Sequence, residues 1–277
     1  MPQMNLTYLH RDNGGDLTAL ADYERAGGYT ALTTALAEMD PEEVLYSCLR
    51  SNLRGRGGAG FPMGRKASFL PKDSPKPSYV VCNADESEPG TFKDREIMER
   101  NPFQLLEGVT IAGYAVRAQR AYIYIRGEYE HQALILDRAL EDAYAAGKLG
   151  PDALGPGNAF DITLYRGAGA YICGEETGLL ESLEGKRGIV RSKPPLPALS
   201  GLFNKPTVVN NVVTLASVPN DLSLGAERYA GYGANRSKGT LAFQLAGNVK
   251  RGGLVEKAFG VTLRELIEDF GGGTASG

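Results

Sequence analysis

The sequence predicts an α/β protein in which a helical N-terminal segment precedes a Rossmann-like, mostly parallel sheet. Two observations support this fold class. Between residues 79 and 183, short runs of β-branched and aromatic residues alternate with stretches that have helical spacing. Glycine is also enriched, because 36 of 277 residues is well above the usual level of about 7%. The glycines occur in clusters, which indicates loops in which the main chain makes the contacts.

Helices are predicted in the first 53 residues. Apolar residues between Leu32 and Met39 recur at helical spacing. A second helix begins at Asp40, where Asp at the N-cap, Pro41 at the first helical position and Glu43 at the third form a start signal. This helix leads into the glycine loop, residues 55–60.

Strands and helices then alternate along the chain. The predicted strands are Tyr79–Cys82, Ala121–Ile125 and Phe160–Tyr165, and the predicted helices begin at Pro102, Glu130 and Glu175. Such alternation favours βαβ units and parallel strands. Asn83 and a second glycine-rich loop, 166–174, therefore lie at the edge of the sheet where open α/β folds bind ligands.

The last segment has a different pattern. Leu241–Leu245 and Gly253–Glu256 are typical of a hairpin. Thr262 and Glu265 form a capping box at the start of one more helix, which ends at Gly271. A hairpin and one helix cannot bury a core of their own, so we expect this last unit to be incomplete.

Composition excludes several classes of protein. The 30 Lys and Arg residues against 33 Asp and Glu residues give a net charge of −3, which argues against nucleic-acid binding. Cys48, Cys82 and Cys173 have no C-x-x-C spacing, so neither a disulfide framework nor a self-contained zinc or iron–sulfur site is expected. The N-terminus does not resemble a signal peptide, and apolar runs such as 109–116 are far shorter than the ~20 residues of a membrane span. We expect a soluble protein with reduced thiols.

The first glycine loop matches the dinucleotide fingerprint only on paper. Gly55, Gly57 and Gly60 have the right spacing, but a helix precedes them and Phe61-Pro62 follows, whereas the fingerprint requires a strand and then a helix. A Walker loop is excluded because no Gly-Lys-Ser/Thr follows. The loop is flanked by arginines and by Lys66, so its exposed amides suit an anionic or planar ligand. A tight turn alone is the alternative.

Three further stretches are candidate binding loops. Residues 83–90 place polar side chains directly after a buried strand. Three interpretations are open for them: a hard-metal site, a strip that binds hydroxyl groups, or a solvated acidic turn. Tyr171 lies among glycines ahead of Glu175 and Glu176, which alone are an ordinary helix-dipole device. Asn210 and Asn211, followed by Thr214, are either phosphate ligands or helix caps.

Histidine chemistry has little support. His10 and His131 are the two histidines, and no motif surrounds either. We expect both at the surface.

Taken together, five motifs resemble one family. They are Gly55–Pro62, Asn83–Gly90, Arg126–Tyr129, Gly167–Glu176, and Lys193-Pro-Pro with Asn210-Asn211. The family is the FMN- and NADH-binding flavoprotein subunit of NADH:quinone oxidoreductase (complex I), together with related diaphorase subunits. The resemblance extends from about Leu45 to Val218.

The resemblance implies a flavin site with a nicotinamide site beside it. For FMN, it implies contacts from Gly55, Arg56, Gly57, Gly58, Ala59, Gly60, Lys66, Asn83, Asp85, Glu86, Ser87, Tyr171, Gly174, Glu175, Asn210, Asn211 and Thr214. For NADH, it implies Phe61, Phe69, Glu88, Glu176 and Lys193. Among these residues, Lys66 and Glu88 are expected to be catalytic.

The implied activity is an NADH dehydrogenase module that passes hydride from NADH to FMN and electrons onward to iron–sulfur clusters and quinone. The implied partners are a thioredoxin-like [2Fe–2S] subunit and other subunits of the peripheral arm. The implied location is cytoplasmic, associated with the inner membrane only through the complex.

The resemblance also implies a division into three parts and exposes departures. The parts are an N-terminal helical segment with the glycine loop (1–63), a Rossmann-like FMN/NADH domain (64–234) and the partial β-grasp, SLBB-like domain (235–277). The cysteines that hold a [4Fe–4S] cluster in full-length relatives have no counterpart in this chain. Ala67 stands where the family commonly has Trp, and Leu196 where a Phe often contacts adenine. A non-catalytic flavin-binding or assembly module is the alternative function.

Overall fold

The computed structural model describes residues 5–276. Its helices lie mainly before the sheet and between its strands. The α-helices are α1 Leu20–Arg25, α2 Thr30–Glu38, α3 Pro41–Ser51, α4 Met63–Ala67, α5 Lys93–Arg100, α6 Pro102–Ala115, α7 Glu130–Ala145, α8 Glu176–Leu183, α9 Pro197–Ser200, α10 Val212–Ala216, α11 Val218–Leu224, α12 Ala226–Ala230 and α13 Leu263–Glu265. Short 3₁₀ turns occupy Leu9–Arg11, Tyr171–Gly174 and Leu202–Asn204, and a π-helical turn occupies Leu266–Phe270.

The main sheet is parallel throughout. The strands are β1 Tyr79–Ala84, β2 Arg120–Ile125, β3 Asp161–Arg166, β4 Thr207–Asn211, β5 Gly233–Ala234, β6 Ser237–Lys238, β7 Thr240–Leu245 and β8 Gly253–Ala258. Four of them pair in the order β3-β2-β1-β4. In the centre, Val80 lies between Ala121 and Val208 and is fully buried, as expected for a strand covered on both faces. The predicted α/β class with a parallel sheet is confirmed.

The N-terminal helices form where the sequence places them. The Asp40 carboxylate accepts from the Glu43 amide at 2.9 Å, and the Glu43 carboxylate accepts from the Asp40 amide at 2.8 Å, which completes a capping box. Helix α6 holds this segment through Glu107, whose carboxylate accepts from the Tyr23 hydroxyl at 2.5 Å and the Leu32 amide at 3.0 Å. Burial raises the pKa of Glu107 against the lowering effect of these hydrogen bonds.

The C-terminal hairpin joins the main core. Strands β7 and β8 pair antiparallel, as predicted. Glu256 of β8 is buried and accepts from the amides of Thr7 and Tyr8 at 2.9 and 3.1 Å, so the two ends of the chain are tied together. Leu254 belongs to the same apolar cluster as Tyr8.

Several local predictions need correction. His10 is 3 % exposed rather than at the surface, because Tyr8 packs edge-on against its ring and its Nε2 lies 3.3 Å from Glu96. The short antiparallel pair of β5 and β6 was not predicted from the sequence. The helix that begins after the Thr262 capping box changes to a π-helical turn within one turn.

Candidate functional site

A cavity of about 470 Å³ lies at the carboxyl ends of β1 and β4. This is the edge of the sheet where the sequence predicts a ligand site. The volume falls in the range of small-molecule sites. The cavity is lined by Gly55, Gly57, Ala59, Gly60, Phe61, Lys66, Phe69, Asn83, Gly174, Glu175, Glu176, Lys193, Leu196, Pro197, Ala198, Thr207, Val209, Asn210 and Asn211.

The glycine loop forms one wall of the cavity. Its ends are closed by hydrogen bonds from the Gly55 amide to the Phe61 carbonyl at 2.9 Å and from the Met63 amide to the Leu53 carbonyl at 2.8 Å. Helices α3 and α4 flank the loop, so it is not a Rossmann fingerprint, as predicted. Gly60 has a φ of +63°, in the left-handed region that favours glycine.

The amides at the tip of this loop are free to bind a ligand. Within residues 5–276, the N–H groups of residues 57–60 have no hydrogen-bond acceptor. Gly57 also lies close to Asn211 at the end of β4, because a Cβ on Gly57 would be 3.2 Å from Cβ of Asn211. The loop therefore presents main-chain donors close to the end of β4.

Asparagines at the ends of β1 and β4 form the floor. Asn83 donates from Nδ2 to the Gly174 carbonyl at 2.8 Å, which joins the two predicted ligand loops. Asn211 caps α10 by accepting from the Val213 amide at 3.0 Å. Asn210 is 7 % exposed, and its Nδ2 has no partner among the described residues. A buried donor without an acceptor is costly, and Asn210 is one of the residues that line the cavity.

Four charged side chains that line the cavity alternate in sign. Glu176 bridges Lys66 and Lys193, with N–O distances of 2.6 and 2.7 Å. Lys193 also lies 3.1 Å from Glu175, whose other oxygen caps α8. Burial acts to raise the pKa of Glu176, but the two lysines outweigh it and lower that pKa. Burial likewise acts to raise the pKa of Glu175, and its hydrogen bonds with Thr177, Gly178 and Lys193 lower it. Both carboxylates are therefore ionised at neutral pH.

Apolar side chains line the rest of the cavity. The rings of Phe61 and Phe69 lie 6.1 Å apart, and both are partly exposed. Leu196 is 42 % exposed and also lines the cavity. Such a surface suits the face of an aromatic ligand.

Some predicted site residues do not line this cavity. They are Arg56, Gly58, Asp85, Glu86, Ser87, Glu88, Tyr171 and Thr214. Glu86 is buried, and its carboxylate caps α5 by accepting from the amides of Asp94 and Arg95 at 3.0 and 3.1 Å. Thr214 is buried and accepts from the Arg56 amide at 2.8 Å. These two side chains hold neighbouring elements in place.

The remaining side chains of the polar strip bond to each other or to the next loop. Asp85 accepts from the Ser87 hydroxyl. Glu88 accepts from the Tyr171 hydroxyl at 2.5 Å, so the first polar loop and the second glycine-rich loop meet. No group of three His, Cys, Asp or Glu side chains in the described part of the chain converges on a possible metal position, so the metal alternative for this strip gains no support.

Besides Leu196, four residues that line the cavity were not predicted as site residues. Thr207 and Val209 alternate with Asn211 along β4, and strand periodicity would have identified them once Asn211 was placed. Pro197 and Ala198 begin α9, and no local signal marks them.

Comparison with known proteins identifies the family. Residues 49–220, well over half of the chain, match the family described as the Nuo51 FMN-binding domain. The chain belongs to this family. The resemblance inferred from the five motifs is therefore confirmed.

Two relatives show how much of the chain is shared. An NADH-quinone oxidoreductase subunit of Rhizobium meliloti is 53% identical over 258 residues, which are 93% of this chain and 61% of that protein. The corresponding NADH-quinone oxidoreductase subunit of Aquifex aeolicus is 53% identical over 256 residues, covering 92% of this chain and 60% of that protein. The chain thus spans about three fifths of the length of these relatives.

A solved structure shares the fold. A crystal structure of an NAD⁺-reducing [NiFe]-hydrogenase in the H₂-reduced state superposes with a TM-score of 0.81 and 38% identity, covering 90% of this chain and 42% of that chain. Between residues 5 and 276, no helix has both the length and the apolar character to cross a bilayer.

Proposed function

We propose that this chain is an NADH-oxidising flavoprotein module that binds FMN and NADH in the cavity at the ends of β1 and β4. The observation that carries the proposal is a cavity of about 470 Å³ that combines free loop amides with an unpartnered buried amide on Asn210. No acceptor among residues 5–276 pairs with either kind of donor, and a polar ligand bound in the cavity would supply one.

The residues present fit a flavin nucleotide. Main-chain donors in the glycine loop suit a carbonyl-bearing ring or an anion. The side chains of Asn83 and Asn210 suit hydroxyl groups, because an amide both donates and accepts. Lys66 lines the same cavity and carries an amino group. Bound FMN would accept hydride from NADH and release electrons one at a time.

The chain's own residues supply binding and orientation. Lys66 lines the cavity and donates a hydrogen bond to Glu176 there. Its amino group would stabilise negative charge on a bound ligand. Phe61 and Phe69 would exclude water from one side of a bound ring. Lys193 would attract the phosphates of a dinucleotide. Glu88, bonded to Tyr171, would fix the polar loop beside the cavity.

The wider function rests on the names of the relatives. They are subunits of NADH-quinone oxidoreductase, and the structural neighbour is an NAD⁺-reducing hydrogenase. We infer that this chain acts with other subunits, one of them a thioredoxin-like protein with a [2Fe–2S] cluster that takes electrons toward quinone. Its place would be the cytoplasmic face of the membrane, reached through the complex.

A second candidate function is a flavin-binding or assembly module without turnover. Leu196 favours it, because a leucine at the cavity mouth lacks the stacking of an aromatic ring on adenine, roughly 0.5–1.5 kcal/mol.

One assay separates the two. The purified chain is mixed with FMN, and NADH oxidation is followed with ferricyanide, which takes electrons directly from flavin. Turnover that is lost in Lys66→Met and Glu88→Gln supports the enzyme. Flavin binding without turnover supports the module, and a chain that rejects FMN excludes both.

A further inference from the structure

The side chain of Arg56 lies buried among elements that do not line the cavity. It is 4 % exposed, although it sits in the middle of the glycine loop. One guanidinium nitrogen donates to the Arg54 carbonyl at 2.8 Å and the other to the Lys238 carbonyl at 3.0 Å. The second nitrogen also lies 3.4 Å from the Tyr229 hydroxyl. Its contacts therefore join the loop stem to β6 and α12.

An aromatic ring completes this pocket. The guanidinium carbon lies 4.9 Å from the centre of the Phe259 ring, which follows β8. Gly239 keeps the pocket closed, because a Cβ there would lie 2.2 Å from the Tyr229 hydroxyl. The Arg56 side chain is thus contacted by three separate segments, through Tyr229, Lys238 and Phe259.

The charge of Arg56 has no carboxylate partner in the part of the chain described. Among residues 5–276, no Asp or Glu lies within ion-pair distance of it. The buried carboxylate of Glu256 bonds instead to Thr7, Tyr8 and Thr240. Burying a cation without a partner is unfavourable, so stability alone does not account for this arrangement. The planar guanidinium reaches two carbonyls and a ring at once, while its Nε has no partner among the described residues.

The same residue fixes the loop through its main chain. The Arg56 amide donates to the Thr214 hydroxyl at 2.8 Å, and the adjacent Gly55 amide closes the loop onto Phe61. Side chain and main chain of Arg56 therefore hold the loop at the residue before its free amides begin.

We propose that Arg56 is a positioning residue that holds the glycine loop in its ligand-binding shape, and that Phe259 and Lys238 make the C-terminal segment part of this support. The proposal rests on the proposed function, since the ligand of the loop is taken to be FMN. It assigns to the segment after residue 232 a role in shaping a cavity that this segment does not line.

The test uses the full chain with one matched pair of variants at Phe259, a variant of Arg56 and one control. Phe259→Leu removes the ring face that covers Arg56, and Phe259→Tyr retains it. Arg56→Lys keeps the charge but loses the fork. Glu107→Gln is the control for a general loss of stability, because it alters a buried anchor that contacts none of these residues.

The first readout is amide hydrogen exchange without FMN. We expect protection of the Gly55, Arg56 and Met63 amides, which close the loop, to fall at least about tenfold in Phe259→Leu and Arg56→Lys. Protection should persist in Phe259→Tyr and Glu107→Gln. Unchanged protection in Phe259→Leu overturns the proposal, even if Arg56→Lys does not fold.

The second readout is FMN affinity from the quenching of flavin fluorescence. The expected loss is about three- to tenfold for Phe259→Leu, with wild-type affinity for Phe259→Tyr. Loss of protection without loss of affinity overturns the role in ligand binding. If the wild-type chain binds no FMN, the proposed function fails, while the exchange result still decides whether Arg56 and Phe259 hold the loop.

Discussion

Replacing Asp221 with asparagine is predicted to stabilise the protein at neutral pH. Asp221 in α11 is fully buried, and one of its oxygens accepts from the Ser51 hydroxyl at 2.9 Å, at the end of the helix that leads into the glycine loop. The other oxygen has no partner among the described residues. Burial raises the pKa of Asp221 to about 7, against the hydrogen bonds from Ser51 and Cys48, which lower it.

The magnitude follows from that shift. A rise of about 3 pH units over the usual value corresponds to about 4 kcal/mol of lost stability once Asp221 is ionised. Because the folded-state pKa is raised, the stability is fully present below about pH 4 and is lost as the pH rises through about 7. An asparagine removes this loss but leaves a buried amide donor without an acceptor, at about 1–3 kcal/mol. The expected net gain at neutral pH is about 1–3 kcal/mol.

Urea unfolding across the pH range measures the effect. The advantage of Asp221→Asn over the wild type should grow by about 2–3 kcal/mol between about pH 5 and about pH 8. Asp73→Asn, at an exposed position, should show no such growth. If the advantage of the variant does not change with pH, the pKa of Asp221 is not raised by burial and the reasoning is refuted.

Two further predictions concern the cavity. Leu196→Phe should tighten NADH binding roughly two- to tenfold, measured as the Kd by calorimetry, because a ring adds stacking. Leu199→Phe, exposed on the same segment but not lining the cavity, should leave the Kd unchanged, and equal effects of the two would count against the assignment. Lys66→Met should reduce ferricyanide turnover at least about tenfold through loss of a cation in the cavity wall. Lys72→Met is the control because Lys72 is exposed and lies 3.8 Å from Glu42; a similar loss there would show that the effect is general.

Local sequence information was sufficient for much of the fold. The Asp40 capping box depends on residues three positions apart, and three of the four strands of the parallel sheet are recognisable from their own composition. The cavity could be placed because parallel strands bring their carboxyl ends to one edge.

Interactions between distant segments could not be predicted in the same way. The direction of the Arg56 side chain depends on Lys238, 182 positions later. Nε2 of His10 lies 3.3 Å from Glu96, 86 positions later, and nothing in the sequence around His10 indicates this contact. The bridge of Glu176 to both Lys66 and Lys193 likewise depends on three elements that only the fold brings together.

A crystal structure of the chain grown with FMN and a non-reducing NADH analogue tests the central claim most directly. We predict the isoalloxazine ring against the tip of the glycine loop, a hydrogen bond from Nδ2 of Asn210 to the flavin nucleotide, and the nicotinamide on the open face of the ring near Phe61. A flavin bound elsewhere, or a cavity that stays empty at saturating ligand, would contradict the account.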